Sequence, residues 1–357
     1  MELLNHNRIK HSFTTHLIPL DRMAGVTPFL KPPCIGDLVL AEVLNLGRNT
    51  TLEDRNGLAQ HIFAGDIIIG AFGNRYATDQ YEGFVPTDPV ETCALLSVGG
   101  VCGDLVAKHG AVASPTQLRV IGAVCDQDGQ PLSQCDFALR PSGVLRKQGE
   151  VIVVVGASMN AGKTTTVGML VRALKLAGKR VAAAKITGTA ASKDLRFFEN
   201  CGADPALDFT AAGYPSTYLL SYLELMAIYF TLLSQIQSTG PDYVVVEIAD
   251  GIFQRETRML LESEEFRSMI DHLFFAANDS LSAESGERRL QKLNLPLRAI
   301  TGKATQSPLL MREIQEVTQT PCLSIDQILN GKALELLTIE SQQRLHQNNG
   351  RYEAIMA

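Results

Sequence analysis

Residues 151–166 read VIVVVGASMNAGKTTT: an unbroken aliphatic run, a loop of small residues, then Gly162-Lys163-Thr164-Thr165-Thr166. A short continuous apolar run is the pattern of a strand buried on both faces, and such strands belong to parallel sheets covered by helices. Val167, Leu170, Val171 and Leu174 follow at helical spacing and Gly178 supplies a stop, so a helix is predicted over 162–177. Buried strand, glycine-bearing loop and amphipathic helix thus succeed one another without interruption.

The same alternation continues downstream. A strand is predicted at 181–186, and a long helix at 218–237 leads through Gly240-Pro241 to a third strand at 243–248. Then come a strand at 272–277, a helix at 280–293, a strand at 297–301, a helix capped by Ser307 with Pro308 in its first turn, and a strand at 321–325. Strands alternating with helices predict an α/β fold with a parallel sheet and helices on both faces.

The front of the chain follows another pattern. GDLVLAEVLNLG, AQHIF, GDIIIGAFGN and YEGFVP, within 36–86, read as short hairpin-connected strands and predict a small β-barrel. A Gly-rich stretch at 98–110 is expected to be partly helical, and 118–139 to be strand, Asp-Gly turn, strand. RPSGVLRKQGE, 140–150, reads as a linker. The expected organisation is a β-rich domain over 1–145 with a short helix, an α/β domain over 150–335 and a polar helical tail over 336–357. A length of 357 residues suits about two domains.

Composition excludes several classes. With 45% hydrophobic and 20% charged residues the chain has the make-up of a globular protein, and a net charge of -6 gives no footprint for nucleic acid or an anionic membrane. The seven cysteines form no C-x-x-C pair and are odd in number, which fits a reducing cytoplasm. No signal peptide is read at MELLNHNRIKHSF, and no apolar run is long enough to span a membrane.

Strand, loop and Gly-Lys-Thr opening a helix is the P-loop arrangement, in which loop N–H groups and the helix N-terminus face phosphates, lysine reaches the β/γ oxygens and the hydroxyl meets Mg²⁺. Gly156, Asn160, Ala161, Gly162, Lys163, Thr164 and Thr165 are the expected nucleotide-binding residues, with Lys163 and Thr164 in the last two roles. The usual G-x-x-x-x-G-K-T spacing places the first glycine at 157. Here residue 157 is alanine and the glycine is Gly156.

GASMNAGKTTT has the glycine offset of the G-T-D-T-x-V-G-K-T loop of dethiobiotin synthetase, and the chain over about 150–330 resembles that P-loop ligase and its relatives, the cobyrinate amidases and the molybdopterin-guanine-dinucleotide accessory proteins. In that family a second strand ends in Lys-Pro-x-x-(S/T)-Gly, and VAAAKITG aligns Lys185 and Thr187 with it. A later strand ends in Glu-Gly-Ala-Gly-Gly, and VVVEIADG aligns Glu247. The resemblance implies a homodimer, and a substrate near Lys185, Thr187 and Gly188. The chain departs from the family in having no acidic residue between Gly156 and Gly162, Asp250 in place of a glycine, and Ile186 after Lys185.

A carboxylate ending a neighbouring parallel strand is placed to hold Mg²⁺ beside the Lys-Thr pair, and Glu247 is the first choice. Asp250 either binds the metal or substrate, orients a water, or stabilises the turn before Gly251. Asp194, Asp204 and Asp208 are available to replace the missing loop carboxylate, with Asp208 ranked first. Lys185, at the end of an apolar strand, calls for an anionic partner because a buried unpaired cation is costly. A second phosphate or a substrate carboxylate would serve. Arg255, Glu256 and Arg258 are either part of a γ-phosphate-sensing loop or a surface salt-bridge cluster. Asn278-Asp279 and Thr301-Gly302-Lys303 stand where related proteins read the base. Neither is the Asn-Lys-x-Asp of guanine readers, which leaves adenine favoured. Asn74, Arg75, Asp79 and Glu82 read either as a hydrogen-bonded barrel rim or as a ligand loop, and Cys201 as structural.

Three functions follow. The first is an ATP- and Mg²⁺-dependent enzyme, ligase- or kinase-like, activating a small carboxylate or amine, with Lys163, Lys185 and Glu247 as catalytic residues. The second is a nucleotide-dependent accessory or switch protein acting on a partner. The third is an acyltransferase whose loop holds the pyrophosphate of coenzyme A.

Overall fold

The computed structural model describes residues 2–88, 90–141 and 149–338. The chain divides into two compact units, each discontinuous in sequence. One comprises Met1–Leu145, Lys185–Arg196 and Leu207–Gln235, and the other Arg146–Ala184, Phe197–Ala206 and Ile236–Ala357. Most of the expected linker and nearly all of the expected tail lie outside the described residues.

The first unit is built on a closed ring of strands. Thr116–Cys125 pairs with Leu38–Asn45, which pairs with Ile67–Phe72; that strand pairs with Val101–Lys108, then Thr92–Leu95, which returns to Thr116–Cys125. Closure leaves the ring without a free edge. Period-two alternation explains its two cores. Val39, Ala41, Val43, Ile68 and Phe72 pack with Leu95, Cys102 and Leu118, while the alternate residues Leu38, Leu40, Ile69 and Ala71 pack with Ile18, Met23 and Leu132.

Two local expectations fail here. The stretch 98–110 holds the strand Val101–Lys108 rather than a helical piece, because Val101 and Cys102 fill buried positions in the ring and so override the glycines. After the Asp-Gly turn at 128–129 the chain makes only two isolated bridges, Pro131 to Cys125 and Ser133 to Asp37, before the short 3-10 turn Gln134–Phe137. Ser133 and Asp136 form a reciprocal capping box there, which ends extended structure.

The α/β sheet has the strand order 206–208, 181–185, 243–247, 150–156, 272–276, 297–301. Its pairs among Tyr243–Glu247, Glu150–Gly156, His272–Ala276 and Leu297–Thr301 are parallel. Val151 to Val155 are all buried, as the unbroken apolar run predicts. The helix Lys163–Leu176 lays Val167, Leu170, Val171 and Leu174 against Ile152, Val154, Val245 and Phe274. The helix Pro308–Val317 begins at the Ser307 cap, whose hydroxyl accepts from Leu310 N.

The expected strand at 321–325 is reduced to a single parallel bridge between Ile300 and Cys322. Ser324 and Gln327 form a capping box that starts the helix Ile325–Leu329. The sheet changes its direction of growth at Glu150–Gly156, and in open α/β sheets ligands bind beyond the carboxyl ends of the strands at such a point.

Candidate nucleotide site

The loop between Gly156 and Lys163 lies beyond the carboxyl end of that strand. Helix Lys163–Leu176 opens on Gly162, which sits at a left-handed φ of 104° and brings no capping side chain. Helices opening at Asp279, Ser307 and Ser324 have side-chain oxygens on their first N–H groups. A helix N-terminus without such a cap turns its N–H groups toward an anion. Asn160 is also left-handed, at φ 62°, a conformation that asparagine tolerates better than most residues.

The early glycine has a steric reason. A Cβ at Gly156 would stand 2.9 Å from Lys163 Cγ and 3.1 Å from Cδ. The strand end is bare so that the lysine stem can lie across it. Lys163 is buried, and its Nζ donates to the Ser158 carbonyl at 2.8 Å. Ser158 is held in turn, because Asn278 Nδ2 donates to its hydroxyl at 2.7 Å. Asn278 therefore braces the loop crest.

Parallel register sets Glu247 beside Val154. From there its Oε1 accepts from the Thr164 hydroxyl at 3.3 Å, and the carboxylate is only 2% exposed. Mg²⁺ takes hard oxygen donors, commonly one or two carboxylates with phosphate and water completing the shell. A hydroxyl and a carboxylate side by side fit that requirement. Among the described residues no group of three or more His, Cys, Asp or Glu could hold a metal, so phosphate and water would supply the remaining ligands.

The segment after Glu247 is stitched to the loop. Ile252 N donates to the Gly156 carbonyl at 2.9 Å, and a Cβ at Gly251 would fall 2.4 Å from the Ala157 carbonyl oxygen. Only glycine permits that approach. Asp250 adopts a left-handed φ of 60° immediately before it. Further on, the Gln254 side chain accepts from Glu256 N and Thr257 N, and Arg255 pairs with the buried Glu256 at 2.6 Å. Arg258 is exposed. Thr165 is exposed and Ala161 buried; the Ala161 carbonyl accepts from Lys303 N at 2.9 Å, joining the 301–303 turn to the loop.

Of the remaining expected site residues, Lys185, Thr187, Gly188, Asp194 and Asp208 belong to the first unit, and the exposed Asp204 to the second. Lys185, the last residue of strand Val181–Lys185, pairs with Asp194 in the first turn of helix Lys193–Cys201. Its anionic company therefore comes from its own chain. Thr187 is buried, and Gly188 N donates to the Thr217 hydroxyl at 2.9 Å. Asp208 is 3% exposed and accepts from the backbone N and the hydroxyl of Thr210, capping the turn Phe209–Ala212. Burial raises its pKa to about 6 despite those hydrogen bonds and the pull of Lys185. Asp194 as the partner of Lys185 was not anticipated; its sequence signal is an acid in the first turn of a short helix.

On the barrel, Asn74 bridges the Tyr218 carbonyl and Val85 N, while Arg75 donates to Gln80 and the Leu96 carbonyl. Glu82 accepts from the Tyr218 hydroxyl at 2.8 Å. These contacts are those of a hydrogen-bonded rim. Cys201 is a buried thiol whose pKa burial pushes up.

No protein-family profile and no curated protein matches the sequence. Among solved structures, the signal recognition particle receptor FtsY from Elizabethkingia anophelis in complex with GDP is similar at 18% identity and a TM-score of 0.36, over 52% of this chain and 59% of that one. The 54 kDa signal recognition particle protein from Aeropyrum pernix K1, also with GDP, is similar at 20% identity and a TM-score of 0.36, over 58% of this chain and 52% of that one. This chain thus spans little more than half the length of either. The geometry on its own has the P-loop arrangement: a parallel sheet, an uncapped helix after a glycine loop, Lys163 folded back onto that loop, and the Thr164 hydroxyl on Glu247. No described helix is long and apolar enough to cross a membrane.

Proposed function

We propose that the chain binds a nucleoside triphosphate with Mg²⁺ through residues 156–164 and uses it in metal-dependent phosphate chemistry. The preferred reaction is ATP-driven activation of a small amine or carboxylate. The contact between Thr164 and Glu247 carries the reading, because it sets two hard oxygen donors beside the lysine of the loop. On binding, Lys163 Nζ exchanges the Ser158 carbonyl for phosphate oxygens, and the first N–H groups of the helix face the same anion. A bound Mg²⁺ would supply neutralisation of phosphate charge. Glu247, buried and fixed by its strand, accepts from the Thr164 hydroxyl and so orients it, and the two would hold the ion together. Catalysis would rest on position and electrostatics.

The Lys185–Asp194 pair supports an acceptor site, since it offers an ammonium to a carboxylate and a carboxylate to an amine. Asp250 and Asp208 remain candidate ligands under this proposal, and the family resemblance adds a homodimer, which sedimentation tests. A second reading, a nucleotide-dependent switch, draws on the stitching of residues 251–252 to the loop. Titration calorimetry with ATP, GTP and acetyl-coenzyme A in Mg²⁺ decides among ligands, and product analysis decides between reactions. An enzyme forms a new small molecule stoichiometrically with nucleoside diphosphate. A switch shows slow hydrolysis that a partner accelerates, and binding of acetyl-coenzyme A alone would overturn both.

A further inference from the structure

The first unit contains residues 185–196 together with the barrel, and the contacts between them have a definite pattern. Strands Thr51–Glu53 and Ala59–His61 pair antiparallel around the turn Asp54–Leu58. Asp54 shapes that turn: its Oδ1 accepts from Asn56 N at 2.8 Å and Leu58 N at 2.7 Å. The hairpin grips one residue of the later segment. Glu53 Oε2 accepts from Ser192 N at 2.7 Å, and the Ser192 hydroxyl donates to the Gly57 carbonyl at 3.1 Å. Arg196, one turn along the helix, donates to the Asn56 carbonyl.

The fit is close. Gly57 is left-handed at φ 73°, and a Cβ there would fall 2.3 Å from Ser192 Cβ. A second hold lies two residues earlier, where Ser97 donates to the Ala190 carbonyl at 3.3 Å and a Cβ at Gly99 would stand 2.0 Å from the same oxygen. Between these anchors and the rest of the helix lies Asp194, which pairs with Lys185.

We infer that Glu53 is a positioning residue: through Ser192 it fixes the first turn of helix Lys193–Cys201 and thereby the Lys185–Asp194 pair, so that the barrel hairpin sets the geometry of the acceptor site. The part concerning the acceptor site rests on the proposed function; the mechanical part does not. Ser192 is almost fully buried, so the carboxylate acceptor on its N–H has no ready replacement in water. A hydrogen bond to a charged group held this way is worth a factor of about ten or more in an opening equilibrium.

The test compares full-length wild type with Glu53→Ala and Glu53→Gln, the latter retaining an oxygen that can accept from Ser192 N. Acetylation of Lys185 by an N-hydroxysuccinimide ester is followed by mass spectrometry, with Lys163 in the other unit as the control. Affinity for MgATP and MgGTP and their turnover are measured in parallel. Glu53→Ala is expected to raise Lys185 labelling about tenfold, leave Lys163 labelling and nucleotide affinity within about twofold, and lower turnover. Glu53→Gln is expected to restore wild-type labelling and turnover. Unchanged Lys185 labelling, or equal increases at Lys185 and Lys163, overturns the inference, and raised labelling with unchanged turnover overturns its link to the acceptor site. Absence of MgATP and MgGTP binding to wild type sinks the proposed function instead, while the labelling still decides the role of Glu53.

Discussion

Replacing Gly156 by alanine tests why this loop begins one residue early. The backbone there does not lie at positive φ, so alanine meets no conformational barrier and even reduces the freedom of the unfolded chain, worth about 0.4–1 kcal/mol in favour of folding. The new methyl would lie 2.9 Å from Lys163 Cγ and 3.1 Å from the Ala276 carbonyl oxygen. The second of these is backbone in the middle of the sheet, so the lysine stem has to give way. Overpacking of this kind costs about 1–3 kcal/mol, which is roughly 5- to 150-fold in nucleotide affinity if the displaced stem no longer reaches the phosphates. Calorimetry with MgATP and MgGTP measures it, with thermal unfolding as a check on the fold. The double variant Gly156→Ala/Ala157→Gly restores the commoner glycine spacing and is expected to bind no better than the single one. Wild-type affinity in Gly156→Ala, or full rescue in the double variant, would refute the steric account.

Lys163→Ala is expected to abolish measurable nucleotide binding, whereas Glu247→Ala should bind nucleotide and lose Mg²⁺-dependent turnover; calorimetry and phosphate release separate the two. Asp208 titrates near pH 6 in the fold against 3.8 unfolded. The folded state therefore holds the extra proton between those values, and stability falls as pH rises through that window, by an amount on the order of 2–3 kcal/mol. Asp208→Asn should flatten this slope in denaturant titrations at pH 4 and pH 7.5. His272 joins Glu150 at 2.5 Å and accepts from Arg298 Nε at 3.0 Å, at the opposite end of the strands from the phosphate loop. His272→Ala should cost about 1–3 kcal/mol of stability by removing one acceptor from the buried Arg298 while leaving nucleotide affinity unaltered.

The α/β half was legible because its signals are local and redundant. Val151–Val155 is apolar without a break, Gly178 and Ser307 punctuate helices, and Gly-Lys-Thr follows directly on a strand. The contact of Glu247 with Thr164 was within reach too, since adjacent parallel strands align their carboxyl ends. Other features depend on contacts distant in sequence. Asp194 pairs with Lys185 only because the helix at 193 turns back toward the strand end. Nothing around Gly251 announces that its missing side chain makes room for the Ala157 carbonyl. The segment 321–325 has strand-like composition, yet Ser324 and Gln327 cap a helix across its end. EDRNG, 53–57, reads as an ordinary turn, and its grip on Ser192 becomes visible only when the two are brought together.

A crystal structure of the full chain with Mg²⁺ and a non-hydrolysable triphosphate analogue tests the central claim most directly. Phosphate oxygens are expected on the N–H groups of residues 160–164, with Lys163 Nζ moved from the Ser158 carbonyl to those oxygens and the ion between Thr164, Glu247 and the phosphates. Phosphates bound elsewhere, or Lys163 still on Ser158 with the analogue present, would contradict it.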